Sequence, residues 1–437
     1  MTMTVEIPDA AVDSITALPV VIIGAGPVGL AAAAQLLARG IEPLVLEQGA
    51  QAGSAILEWG HVRLFSPWKH VTDAASVKLL TAAGWTPQHP EAAPIGRELV
   101  KHYLEPLAST DALRDRIRYG ARVESVSRLG MDRTRSLGRA TTPFVVRVDG
   151  EEHEIRARAV IDASGTFSTP NAVVASGLDL RHAESVAPRL THGLPDVVGR
   201  DQDRFAGKHT VVVGAGHSAA NTLIALAKLA ERAPGTRVTW LVRNESPARV
   251  YGSADDELEG RASLGASTQR LVDSGRVTLL NRFLVNDVVP APQGRIAVVG
   301  AQRGVPLTIE ADTVVVATGF RPDLGALREI RLGLDDVIEA PVRLAPLIDP
   351  NLHSCGTVPP HGVGELSHPE PGFWLAGMKS YGRAPTFLLL TGYEQVRSIA
   401  DEIAGSHTAA RTIQLVLPET GVCSTGPAST GSASSCC

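Results

Sequence analysis

Val20-Val-Ile-Ile-Gly24-Ala-Gly26-Pro27-Val-Gly29-Leu30 is the stretch that decides how this chain is read. A run of β-branched residues enters a glycine-rich turn, and an alanine- and leucine-rich segment follows from Leu30 to Ala38. Gly40 stops that segment, and a second apolar run, Pro43-Leu-Val-Leu46, ends in Glu47. The order predicts strand, tight turn, helix, strand and acid. Gly24 permits the sharp turn, Gly26 leaves the backbone open to a pyrophosphate, and Gly29 lets the helix pack close on the strand. The helix begins beside Pro27, and its free N–H groups and partial positive charge favour an anion. Glu47, with Gln48 beside it, stands about 20 residues on, where a carboxylate accepts hydrogen bonds from ribose hydroxyls. A dinucleotide site is the reading this supports. An apolar membrane span from Ala17 to Ala38 is the alternative, and Pro19, Pro27 and the glycines argue against it.

The theme returns later in the chain. Thr210-Val-Val-Val-Gly214-Ala-Gly216-His217-Ser218-Ala219 leads into another helical segment reaching Leu229, and Arg237-Val-Thr-Trp-Leu-Val242 ends at Arg243. A carboxylate there would repel a ribose 2′-phosphate, whereas a guanidinium pairs with it bidentately. The second unit is therefore expected to take NADPH, and the first, with Glu47, to hold FAD. Two further strands end in small residues, Ala163-Ser164-Gly165 and Ala317-Thr318-Gly319, where backbone can pass close to a nucleotide. Val123, in a strand-like stretch from Ile117 to Ser127 and expected to be buried with Val126, is grouped with the first site. So are Gly377 and Met378, in a glycine-rich turn ahead of an apolar helix expected from Pro385 to Ile403.

The paired strand ends bracket the second glycine turn. The expected fold is α/β, with two Rossmann-like dinucleotide-binding domains, the NADPH domain inserted into the FAD domain. The expected boundaries begin with a disordered N-terminus over 1–17 and a first FAD-binding segment over 18–170. The NADPH domain follows over 171–310, then a second FAD-binding segment over 311–410 and a flexible cysteine-bearing tail over 411–437.

A chain of 437 residues with 44% hydrophobic content is long enough for two or three packed domains. Its net charge of -5 is mild, and neither a basic block nor a basic amphipathic helix points to nucleic acid or to a membrane surface. The first residues lack a positively charged run ahead of an apolar stretch, so a cytoplasmic location is expected. The cysteines are Cys355, Cys423, Cys436 and Cys437, with no Cys-x-x-Cys and no secreted disulfide framework. Cys423, Cys436 and Cys437 offer soft thiolates that would suit a trivalent metalloid.

Three stretches carry a family resemblance: Gly24-Ala-Gly-Pro-Val-Gly29, Phe205-Ala-Gly-Lys-His-Thr-Val-Val-Val-Gly214-Ala-Gly-His-Ser218-Ala, and Ala317-Thr-Gly-Phe-Arg-Pro-Asp323. Over about residues 18–405 the chain resembles the flavoproteins with two dinucleotide-binding domains, and among them the flavin-containing and N-hydroxylating monooxygenases. Its tail also resembles those of flavoproteins associated with arsenic resistance. The resemblance implies that NADPH reduces FAD and that the reduced flavin uses molecular oxygen to oxygenate a soft nucleophile, a small molecule or a trivalent metalloid. The chain departs from the subfamily at Leu190-Thr-His192, which lacks a preceding Phe-x-Gly, and at Met378, which replaces a common Asp. Arg63 and His217 are the candidate catalytic residues, Arg63 as a cation beside the flavin and His217 beside the NADP. The alternatives are an NADPH-dependent reductase of a metal, metalloid or quinone without oxygenation, and a metalloid-binding or redox-sensing flavoprotein without turnover. Substrate identity and oligomeric state stay open. The thiol relays of thioredoxin- and glutathione-reductase-like enzymes find no matching cysteine pair here.

Overall fold

The computed structural model describes residues 15–251, 259–350, 358–385 and 387–415. Strands follow the chain as β1 (Val20–Ile23), β2 (Pro43–Glu47), β3 (Ile117–Tyr119), β4 (Val123–Arg128), β5 (Phe144–Val148), β6 (Ile155–Ala157), β7 (Ala159–Asp162) and β8 (Leu190–His192). They continue as β9 (His209–Val213), β10 (Arg237–Leu241), β11 (Thr278–Leu280), β12 (Phe283–Ala291), β13 (Arg295–Gln302), β14 (Val305–Ala311), β15 (Thr313–Val316) and β16 (Phe373–Leu375).

Two compact units form. The first takes the described residues within Met1–Asn171, Gly319–Ala345 and Pro359–Leu417, and the second those within Ala172–Thr318 and Pro346–Val358. In the first unit a parallel sheet runs β16-β7-β1-β2-β3, with a three-stranded antiparallel sheet β4-β5-β6. The second unit repeats the plan, with a parallel sheet β11-β10-β9-β15-β8 and an antiparallel sheet β12-β13-β14. In each, the strand before the glycine turn (β1 or β9) lies at the centre. The next strand in sequence (β2 or β10) adds on one side, and a strand followed directly by Ala-Ser or Ala-Thr (β7 or β15) on the other. This shared topology is why the two small-residue strand ends echo each other in sequence.

Central strands buried on both faces read as continuous apolar runs. All four residues of β1 are buried, as are all four of β15. Helix α1 (Pro27–Leu37) follows the first turn, α2 (His217–Ala230) the second, and α3 (Leu389–Ile403) comes late in the first unit. Helix α1 is buried from Val28 through Leu36, which explains its small side chains.

Residues 96–108 are helical, with a π-helical turn at Val100–Leu104. Pro106 has no N–H to give the carbonyl four residues back, and its ring crowds that carbonyl. The freed oxygen, on His102, accepts the indole N–H of Trp85 at 2.7 Å.

Several boundaries differ from the sequence reading. Residues 311–318 fall in the second unit, because Thr313–Val316 pairs with β9 along its whole length. The segment before β1 is structured by residue 16, whose carbonyl accepts from Arg158, while residues 1–14 lie outside the described residues. The late helix begins at Leu389 and not at Pro385. The start of the expected tail is tied down, since the Thr412 carbonyl accepts from Arg397 and the Gln414 N–H donates to Glu394. Val126 is buried, but Val123 is half-buried, packed on the edge of the first unit's core.

Candidate dinucleotide sites

Both glycine turns have the backbone that their sequences require. Gly24 has φ +100° and Gly214 φ +129°, in the region that favours glycine. A Cβ on Gly24 would lie 3.0 Å from the Ala163 carbonyl oxygen, and one on Gly214 would lie 2.6 Å from the Ala317 carbonyl carbon. The small-residue strand ends thus wall the turns, which is the close approach expected of Ala163 and Ala317. The Trp240 indole N–H also holds the second turn, donating to the Gly214 carbonyl at 2.7 Å.

Each turn then opens. A Cβ on Gly26 or on Gly216 would meet nothing within 4 Å. These residues are the N-caps of α1 and α2, and neither helix start has a side-chain cap. The first N–H groups of a helix need acceptors. Each helix here starts behind a residue without a side chain that borders open space, and a bound pyrophosphate at that position would accept from such N–H groups. The residues present therefore fit a dinucleotide at each turn.

Glu47 lies where the first site needs it. One carboxylate oxygen accepts from the Ala25 N–H at 2.7 Å and the other from the Gly49 N–H at 2.8 Å. This ties the end of β2 to the turn after β1. A carboxylate has about four acceptor positions, so capacity remains for hydroxyl donors. Gln48 is exposed beside it. At the second site Arg243 is exposed just past β10, and His217 and Ser218, half-buried, begin α2.

Arg63 is exposed, its guanidinium donates to the Ala93 carbonyl, and its backbone bridges to Ile95. Ser164 and Gly165 follow β7, Thr318 and Gly319 follow β15, and Gly377 and Met378 follow β16. Cys423, Cys436 and Cys437 lie outside the described residues, as do His353 and Cys355. Among the described residues no cluster could hold a metal ion, and no helix is long and apolar enough to cross a membrane.

Two features escaped the sequence reading. Lys379 is buried, and its ammonium donates to Asp162 Oδ2 at 2.6 Å and to Ser164 Oγ at 3.0 Å. The pair links the ends of β7 and β16 across 217 positions of sequence, so no local window joins the two residues. The other feature lies under Gly377. Its N–H donates to Gln395 Oε1 at 2.8 Å, and Gln395 Nε2 reaches both Ser380 Oγ and His361 Nε2 at 2.9 Å. Gln395 can only donate there, so His361 Nε2 accepts, and its Nδ1 carries the proton given to the Pro359 carbonyl at 3.0 Å.

Burial lowers the pKa of His361, and that of His368 to about 4. In the unfolded chain both would take up protons near the ordinary value of 6.5. Their contribution to stability is therefore complete above pH 6.5 and is lost as pH falls from there toward 4. The loss from His368 is at most about 3 kcal/mol. Thermal unfolding at pH 7 and pH 5 should show a lower midpoint at pH 5, and His368→Gln should reduce that difference. An unchanged difference in the variant would contradict the assignment.

A family model described as pyridine nucleotide-disulphide oxidoreductase matches residues 21–342. The chain belongs to that family. Membership places it among the pyridine-nucleotide oxidoreductases. It is 28% identical over 250 residues to ferredoxin–NADP reductase 1 of Cupriavidus necator, covering 57% of this chain and 59% of that one. It is 27% identical over 345 residues to indole-3-pyruvate monooxygenase YUCCA1 of Oryza sativa subsp. japonica, covering 70% and 77%. The chain spans 54 to 62% of the length of the first three curated relatives, all ferredoxin–NADP reductases. Among solved structures it is similar to bacillithiol disulfide reductase Bdr (YpdA) from Bacillus cereus, with TM-score 0.65, 21% identity and coverage of 89% and 99%. A flavin-containing monooxygenase from Stenotrophomonas maltophilia gives TM-score 0.56, 21% identity and coverage of 89% and 98%. These two structural likenesses show the fold.

Proposed function

We propose that this oxidoreductase holds FAD at the Gly24–Gly29 turn, takes NADPH at the Gly214–Ser218 turn, and acts as a monooxygenase on a soft nucleophile. The observation that carries the cofactor assignment is the contrast between two equivalent sites: Glu47 ends the second strand of one and Arg243 follows that of the other. In the first, the N–H groups at the start of α1 would receive the pyrophosphate and Glu47 the ribose hydroxyls. In the second, the start of α2, with His217 and Ser218, would receive the pyrophosphate and Arg243 the 2′-phosphate. The flavin, when bound, supplies redox chemistry that no side chain here has. Residues 1–354 contain no cysteine, so neither glycine turn has a cysteine near it in sequence, and no Cys-x-x-Cys relay is present anywhere in the chain. The monooxygenase among the curated relatives supports oxygen with a small substrate as the acceptor.

A reductase that does not oxygenate is the second reading, favoured by the ferredoxin–NADP reductases among the relatives. Stoichiometry separates the two. A monooxygenase consumes one NADPH and one O₂ per oxygenated product when its substrate is present. A reductase oxidises NADPH with ferricyanide or ferredoxin, and oxygen yields only peroxide with any nucleophile tried. Failure of NADPH to bleach the bound flavin under nitrogen would sink both. A trivalent metalloid substrate rests on Cys423, Cys436 and Cys437. Serine at all three should abolish any oxidation of trivalent arsenic, and unchanged oxidation would remove that reading.

Arg243 has its own test. Arg243→Ala should raise KM for NADPH by about tenfold to a hundredfold, the loss of a charge-assisted pair of about 1.5–3 kcal/mol. KM for NADH should change little. Equal changes for both nucleotides would place Arg243 away from the 2′-phosphate.

A further inference from the structure

The first sheet sets an order along its carboxyl edge. From one side it reads β3, β2, β1, β7, β16. The chain builds β1, β2 and β3 outward in one direction, then returns to place β7 and β16 on the other side of β1. The order reverses between β1 and β7, and in open α/β sheets a ligand lies in the crevice at such a reversal. Glu47 ends β2, the glycine turn follows β1, Asp162 ends β7, and Lys379 follows β16 by four residues. A dinucleotide with its ribose at Glu47 and its pyrophosphate at the turn therefore extends its other half toward Asp162 and Lys379. For FAD, that half carries the ring.

The charges there are unusual. Side-chain exposure is 5% for Lys379 and 2% for Asp162, with 2.6 Å between Nζ and Oδ2. Burying such a pair costs several kcal/mol per ion in desolvation, and a well-packed apolar pair of similar volume is often as stable. Both Asp162 oxygens are engaged, with Oδ1 taking both the N–H and the hydroxyl of Ser164, at 3.1 and 2.7 Å, and Oδ2 the Lys379 ammonium. Lys379 has three N–H donors and gives two, to Asp162 and to Ser164. One donor is left on a buried cation at the edge where the ring half is expected.

We propose that Lys379 is a cation that favours the reduced, negatively charged flavin, and that Asp162 is the counter-charge that positions Lys379 and limits its effect. Reduction adds negative charge to the pyrimidine side of the ring, and a fixed cation in a site of low polarity stabilises charge where it develops. The inference rests on FAD occupying the first turn.

The test is the flavin midpoint potential, measured by dye-coupled reduction, together with FAD affinity. Lys379→Met should shift the equilibrium between oxidised and reduced flavin at least tenfold toward oxidised, about 30 mV downward for a two-electron couple. Asp162→Asn, which leaves the cation without its counter-charge, should shift the potential upward. The double variant restores neutrality, keeps the site folded and should return close to the wild-type potential. A merely structural pair would move both single variants alike, through weaker FAD binding with no opposite change in potential, and that result would overturn the inference. Potentials unchanged in flavin-loaded variants would overturn it too. If the wild-type protein binds no FAD, the cofactor assignment fails instead, so the two failures are distinguishable.

Discussion

Gly29→Ala is expected to give protein without flavin and with a loosened first unit, whereas Gly26→Ala is expected to lose flavin and keep its fold. A Cβ on Gly29 would overlap the carbonyl oxygen of Gly24 and lie 3.1 Å from its carbon. Both obstructing atoms are backbone, so no side-chain rotation relieves the overlap, and α1 must move away from the turn after β1. That movement disturbs Val21, Ile22 and Leu30, all buried and fully packed. The cost belongs with overpacking of a rigid core, about 1–3 kcal/mol or more. FAD affinity should fall by at least about a hundredfold, since more than one phosphate contact moves. Gly26 is different, because a methyl group there meets only open space in the protein. Gly26→Ala should therefore unfold at the midpoint of the flavin-free wild type, yet retain little flavin after gel filtration, because its methyl group occupies the approach of the pyrophosphate. Full flavin content in Gly26→Ala would show that this turn does not cradle the cofactor.

The second large effect is expected at Glu370. Its carboxylate is buried between two buried guanidiniums, with Arg128 Nε at 2.9 Å and Arg139 Nη2 at 2.8 Å. The Arg331 N–H adds a third kind of donor at 3.2 Å. Burial alone would raise the pKa of Glu370, but the hydrogen bonds from Arg139 and Arg128 prevail and hold it below the ordinary carboxylate value. Arg128 also lies with its guanidinium carbon 3.6 Å from the centre of the Phe144 ring. This cluster joins the end of β4, the β4–β5 connection and the approach to β16. Removing one member of a buried ion group leaves charge without compensation, which costs about 3–5 kcal/mol. Glu370→Ala leaves two buried cations, so the upper end of that range is expected, with a fall in melting temperature of roughly 10 °C. Glu370→Gln keeps the shape and some hydrogen bonds and should lose less. Thermal unfolding followed by near-ultraviolet circular dichroism measures both. A change below about 1 kcal/mol in Glu370→Ala would mean that Arg128 and Arg139 reach solvent when released.

Much of the fold was legible because its signals are local. The run from Val20 to Glu47 contains strand, turn, helix and strand in order, and each glycine answers a constraint set by near neighbours. The same holds from Thr210 to Arg243. Asp149-Gly150, a dipeptide that favours a tight turn, lies between β5 and β6, which pair antiparallel. The boundary at residues 311–318 was not legible, because an apolar run such as Thr313–Val316 fits the centre of either parallel sheet. Its partner, β9, lies about a hundred residues earlier, and only the paired register with Thr210–Val213 decides which sheet takes it.

The candidate site divides in the same way. Gly24, Gly26, Glu47, Gly214, Gly216 and Arg243 could be named from the sequence, since phosphate turns and the residues that follow their second strands have fixed spacings. Arg63 was named for its charge and neighbourhood, and in the structure it is exposed and donates to the Ala93 carbonyl. Lys379, Asp162, His361 and Gln395 carry no motif. Their meaning lies in contacts across 34 to 217 residues of sequence: Gln395 with His361, and Lys379 with Asp162. The sequence by itself determined two dinucleotide turns and the different charges that end their second strands, because backbone geometry and strand–helix spacing are short-range properties. Only the tertiary structure decided which polar side chains are buried together at the ends of β7 and β16, because burial and charge pairing depend on strand order in the sheet, and residues distant in sequence become neighbours only when the sheet forms.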